Sequence, residues 1–266
     1  MNKEINKADK RDLRRAYDLL ENPGFRIKVM NTVGMPIEKG MDLLPASVNK
    51  QIAKASNVAL SKAADFSLFT FSSKKIEKSS NWFHRAAVWG TGFAGGFGGI
   101  PGTLIEVPIS TMIMLRSILD IARSEGEDLE QPAARLAALQ VFALGGNSTS
   151  DDLADSAYYA VRMAMAAEVD AALKFLTKGG GSMANKNAPA IIRLIAKIAS
   201  RFGVTVSEKA VAQAMPFIGG GIGVIINDIF IAHYQDMARG HFIVRRLERK
   251  YGKNIVQKTY ESFGAK

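Results

Sequence analysis

Cysteine is absent from this 266-residue chain. That excludes disulfide staples, thiolate metal sites and a cysteine nucleophile together, and it suits a reducing compartment. Strand patterns are also missing: apolar and polar residues nowhere alternate for long, and only Gly203-Val204-Thr205-Val206 hints at a strand. The first twenty residues, MNKEINKADKRDLRRAYDLL, hold no apolar run behind their basic residues, so they do not read as a secretory signal. There is no GxSxG elbow for a serine nucleophile and no HExxH zinc spacing. Neither glycine cluster is followed by Lys-Ser/Thr, and neither follows a strand, the context a phosphate-cradling loop requires.

What is present is helix punctuation and positive charge. Residues 3–21 read as a charged helix stopped by Asn22-Pro23-Gly24, and 25–43 as irregular, punctuated by Gly34, Pro36 and Gly40. Further helices are predicted over about 45–63, from Ile109 to Gly126, and from Pro132 to Gly145-Gly146. Ser150-Asp151-Asp152 supplies caps for a helix to about Lys178, and a short one follows over 188–202, closed by Gly203. The last helical region runs from Ala210 to about Lys250, broken near Pro216–Gly221. The fold class is therefore all-α, a helical bundle with two central glycine-rich apolar helices or re-entrant segments. The divisions are a charged helix and linker over 1–44, a helical domain over 45–252 and a tail over 253–266.

The two glycine-rich stretches set the functional alternatives. Residues 86–105 carry no charged side chain, nor do Ala210 to Asn227. Gly92/Gly96, Gly95/Gly99 and Gly219/Gly223 are four apart, and Gly102 extends the same spacing from Gly98. That spacing strips bulk from one helix face and lets a second backbone approach. Against a true span stand the helix-weakening glycines, Pro101 and the cost of a lipid-facing Glu106 or Asp228. A re-entrant or buried helical pair meets the pattern more comfortably.

The net charge of +10 points to an anionic partner. Lys74, Lys75, Lys78 and Arg85 precede the first stretch, and Arg239, Arg245, Arg246, Arg249 and Lys250 follow the second, so both clusters can lie on one cytoplasmic face. These nine are the candidate lipid- or partner-binding residues. A basic helix beside an apolar segment suits an anionic membrane surface better than nucleic acid, for which no signature accompanies it.

The run FAGGFGGIPGTLIEVPISTMIMLRSILDIARSEGEDL (93–129), with MPFIGGGIGVIINDIFIAHYQDMARGHFIVRRLERKYG (215–252), resembles the EcsC family of bacteria. The resemblance implies an α-helical, membrane-associated protein with no settled activity and, because the family's namesake is encoded beside an ABC transporter, a membrane-protein partner of that kind. The family has Asp-Leu-Pro where this chain has Glu106-Val107-Pro108.

An acid in an apolar run must be paired or protonated, which singles out Glu106 and Asp228, with Arg239 or Asn227 as candidate partners for Glu106. The expected role is non-enzymatic support of a transport or envelope process on the cytoplasmic side of the membrane, with no cofactor. One alternative is a metal-dependent hydrolase built from Glu106, Asp228 and the histidines His233 and His241, two turns apart on the last helix. Another is a soluble partner-binding module.

Overall fold

A computed structural model describes residues 4–21, 25–33, 37–70, 81–145, 157–180, 188–214 and 220–264, with the backbone alone at 26, 32–33, 38–39, 70, 81–100, 179–180 and 220–222. The described residues form helices and no strand. They are α1 (Lys7–Glu21), α2 (Phe25–Val33), α3 (Ile37–Asp42), α4 (Ala46–Ala64), α5 (Asn81–Ser124), α6 (Pro132–Leu144), α7 (Ala157–Phe175), α8 (Pro189–Ala214), α9 (Gly220–Tyr251) and α10 (Lys253–Glu261). One π-helical turn, Asp65–Thr70, continues α4, and another, Leu176–Gly180, continues α7. The all-α expectation is met.

The two longest helices, α5 and α9, share the most extensive interface in the bundle, with α4 and α8 packed against α5 and α1 against α9. Aromatic rings pin the centre: Phe142, Phe202, Phe230 and Tyr234 meet at centroid distances of 5.2–6.1 Å. α1 approaches α9 tightly at Gly240, where an added Cβ would stand 2.6 Å from Leu20 Cγ and 3.1 Å from the Ala16 carbonyl oxygen. Only a glycine admits α1 that closely.

Three boundaries differ from the sequence reading. The stretch 25–43 holds two short helices, α2 and α3, because Phe25, Val29 and Ile37 bury in the common core and tertiary packing outweighs the local breakers. Gly203 does not end a helix: α8 runs on to Ala214, and the Gly203-Val204-Thr205-Val206 stretch is helical. A mid-helix glycine costs about 1 kcal/mol, and the buried residues Val206, Ala210 and Val211 beyond it offset that. Pro108 does not break the chain either; α5 continues through Pro101 and Pro108 for 44 residues. Beside Pro108 the Val107 carbonyl accepts from the Thr111 hydroxyl at 2.7 Å and the Ser110 hydroxyl at 3.2 Å.

Ser150-Asp151-Asp152, read as the cap of α7, lies outside the described residues. The first described amides of α7 are capped by another helix. Glu21, at the end of α1, accepts from the Ala157 and Tyr158 N–H groups at 3.1 and 3.3 Å, placing a carboxylate at a helix N-terminus.

Candidate functional site

Glu106 is the one charged residue of α5 between Arg85 and Arg116, and the helix turns it inward. Its carboxylate meets Lys209 from α8 at 2.7 Å, and both side chains are sealed from solvent, at 2% and 0% exposure. The same ammonium donates to Asn227 Oδ1 on α9 at 2.7 Å and lies 4.6 Å from the centroid of the Phe230 ring. Three helices thus converge on one buried nitrogen. Burial pulls the Lys209 ammonium below its ordinary pKa, and the Glu106 carboxylate opposes that pull.

One turn along, the arrangement repeats without charge. Thr103 Oγ1, three residues before Glu106, donates to Gln213 Oε1, four residues after Lys209, at 2.6 Å. The i,i+3 pair on α5 faces the i,i+4 pair on α8, so one helix register sets both contacts. Two polar atoms of this cluster have no hydrogen-bond partner, Glu106 Oε2 and Gln213 Nε2.

The partner the structure gives Glu106 is therefore Lys209 and not Arg239. Arg239 bonds Asp236 at 3.1 Å, and Asn227 enters the cluster as an acceptor from Lys209. In sequence, Gly203 reads as a helix end and separates Lys209 from the apolar residues before it. With α8 continuous, Ile191, Leu194, Ile198, Phe202, Val206, Lys209 and Gln213 form a single buried stripe at three- and four-residue steps. That rhythm was the available signal.

The hydrolase constellation does not assemble. His233 Nε2 is 2.8 Å from the Gly145 carbonyl, which can only accept, so the ring nitrogen donates. Burial lowers its pKa to about 4, against a weaker opposing effect of that bond. His241 Nδ1 pairs with the Tyr158 hydroxyl at 2.9 Å, and burial, with Arg162 and Arg245 nearby, keeps it well below the ordinary histidine value. Glu106 is held by Lys209, and Asp228 is half-buried about 100° round α9 from Asn227. Among the described residues no three histidine or carboxylate side chains stand where they could hold a metal ion.

The C-terminal basic cluster is drawn inward. Arg245 bonds Glu127 twice, at 2.8 and 3.2 Å, and Arg249 reaches the same carboxylate and the Glu125 carbonyl. Arg246 bridges Glu125 and Asp12, each at 2.8 Å, and Lys250 meets Asp9 at 2.6 Å. Burial works against the Glu127 charge, but Arg245 and Arg249 hold its pKa below the usual carboxylate value. Lys74, Lys75, Lys78 and Gly219 lie outside the described residues, as do the surroundings of Arg85, Gly92, Gly95, Gly96 and Gly99. Gly102 is half-buried and Gly223 buried.

The fold and this cluster define a class: an all-α bundle whose longest helices are tied through a buried Lys–Glu–Asn contact. The chain belongs to the EcsC protein family, whose model matches residues 23–247. No curated protein and no solved structure matched the chain. The family segment takes in Glu106, Lys209 and Asn227 and leaves α1 and α10 outside it.

Proposed function

We propose that this EcsC-family chain is a non-enzymatic helical protein of the cytoplasmic membrane face, attached peripherally or by a re-entrant segment, that supports a transport or envelope process. An ABC transporter is the kind of membrane-protein partner this role implies. The observation that carries the reading is an outward apolar stripe on α5. Ile105 is 75% exposed and Ile109 47%, one turn apart, with Pro101 exposed a turn earlier. It lies at the end of the uncharged run 86–105. Three apolar residues aligned on one helix face lose less by meeting lipid or another protein than by meeting water. The net charge of +10 favours an anionic surface as that neighbour. No helix among the described residues is long and apolar enough to cross a membrane, so attachment is drawn at the surface or part way in.

Membrane fractionation of cells expressing the chain tests this. The expected result is recovery with membranes at low ionic strength and release by carbonate or high salt. Recovery in the supernatant at low salt without detergent would overturn it and favour the soluble partner-binding module, for which the same exposed isoleucines would serve as the contact.

A further inference from the structure

The surface charge is not where the densest basic cluster of the sequence would put it. Arg246 and Lys250 are met by Asp12 and Asp9, both from α1. Turning those two acids toward α9 has a consequence on the opposite side of α1. At 3.6 residues per turn, Lys7, Lys10, Arg11, Arg14 and Arg15 fall within an arc of about 140°, and all five are exposed. Leu13, Ala16 and Leu20 occupy the buried side with Asp9. Inside the basic arc lie two acids: Asp18, paired with Arg14 at 3.2 Å, and the half-buried Glu21 at its C-terminal end, which is engaged by the Ala157 and Tyr158 N–H groups. Among the described residues Lys7, Lys10, Arg11 and Arg15 have no salt-bridge partner.

Next to the start of α1 is a groove of about 990 Å³ between Glu4, Tyr251, Gly252, Lys253, Asn254, Ile255, Lys258 and Thr259. Its two lysines are exposed, and Glu4 is its one carboxylate. The helix is packed against α9 on its buried side, and its outward polar residues are Lys, Arg and Asp, with no Asn or Gln to read a base edge. A one-sided cationic helix face beside a groove with two exposed lysines suits the surface of an anionic bilayer.

We infer that the outward face of α1, together with Lys253 and Lys258 of the adjoining groove, is the surface that docks this protein on anionic lipid headgroups. The inference rests on the membrane-surface reading above and gives it a location outside the matched family segment. The attraction is of charge to charge, so it weakens as salt rises.

Co-sedimentation of the full chain with phosphatidylcholine vesicles, with and without phosphatidylglycerol, tests it. Two variants remove the same charge from different places: Lys7→Gln/Arg11→Gln/Arg15→Gln on α1, and Lys50→Gln/Lys54→Gln/Lys62→Gln on the exposed face of α4. Each neutralised side chain at a bilayer surface weakens binding several-fold, so the α1 variant should partition about a hundredfold less into the anionic vesicles. The α4 variant should stay within a few-fold of wild type. Should the triple α1 variant misfold by circular dichroism, charge reversal at Arg11 and Arg15 alone reads the same dependence.

Equal losses in the two variants would overturn the docking surface while leaving membrane attachment standing, because net charge rather than position would then govern binding. A wild-type chain that ignores phosphatidylglycerol would overturn the docking surface; fractionation then decides separately whether the chain is membrane-attached by its apolar stripe. Tighter binding to duplex DNA than to the vesicles, lost in the α1 variant, would overturn the choice of lipid.

Discussion

Two ionic ties of opposite character lie along α9, one joining α5 to α8 beside it and one joining α9 itself to α1 and to the residues that follow α5. Towards the N-terminal half of α9, a single ammonium and a single carboxylate meet in a space sealed from water. Near its C-terminal end, Arg245, Arg246 and Arg249 share Glu125, Glu127 and Asp12, with the arginines 22–42% exposed. The dry pair has few partners and no solvent to replace a lost one. The wet network has redundant partners and water at hand. A buried pair is a weak source of net stability yet expensive to halve, whereas a part-exposed network tolerates losses and responds to salt. The two ties should therefore fail differently.

The largest effect is expected at the dry tie. Glu106→Leu leaves the Lys209 ammonium without its counter-charge in a sealed core, and losing one member of a buried pair costs about 3–5 kcal/mol. Urea unfolding followed by circular dichroism measures it. The double variant Glu106→Leu/Lys209→Met removes both charges and should recover most of that loss. A double variant no more stable than the single one would show that hydrogen bonding to Asn227, rather than the uncompensated charge, dominates the site.

The sequence made one half of this comparison easier to see than the other. Helices were legible wherever Gly, Pro or a capping residue coincided with a change in periodicity, as at Asn22-Pro23-Gly24 and Pro132. Glu106 stood out as an acid in an uncharged run. Its partner did not, because Gly203 looked like a helix stop and severed Lys209 from the apolar rhythm that buries it. The basic residues of α9 were plain, but the acids that meet them come from α1 and from 125–127, more than a hundred residues away in sequence. Local pattern cannot report such pairings. Gly240, whose missing side chain lets Leu20 of α1 approach, sits in no glycine cluster and gave no signal at all.

Between the two ties, α9 buries His233, and acid should act there. Its pKa falls from 6.5 in the unfolded chain to about 4 in the fold. The unfolded state thus binds the extra proton first, and stability falls as pH drops through 6.5 towards 4. The displacement is worth roughly 3 kcal/mol when complete. His241, also held low by burial, adds a loss in the same direction. His233→Gln keeps a donor for the Gly145 carbonyl and should flatten the decline of melting temperature between pH 6.5 and 4. An unchanged profile would place the acid sensitivity elsewhere.

At the wet tie, Glu127→Gln removes the carboxylate shared by Arg245 and Arg249, itself only 6% exposed. Charged hydrogen bonds lost at a part-buried position cost about 2 kcal/mol. Water and the Glu125 carbonyl remain for the arginines, so the effect should be smaller than at Glu106. Salt sharpens the contrast. Raising ionic strength should narrow the gap between Glu127→Gln and wild type while leaving the Glu106→Leu gap in place. Equal salt sensitivity at the two positions would mean that water reaches the dry pair.

The smallest effect belongs to the Arg14–Asp18 contact on α1, an i,i+4 pair with both side chains more than half exposed. Such pairs contribute about 0.3–0.5 kcal/mol, so Asp18→Asn should shift the melting temperature barely beyond error. Its effect on charge is another matter. Asp18 is the one exposed acid within the basic arc of α1, and neutralising it raises the positive potential of that face without touching a buried contact. If the face meets anionic lipid, Asp18→Asn should bind phosphatidylglycerol vesicles several-fold more tightly than wild type at unchanged stability. A stability change comparable to that of Glu127→Gln would instead mean that this exposed pair ties α1 to the bundle, and the distinction between dry, wet and solvated pairs would need redrawing.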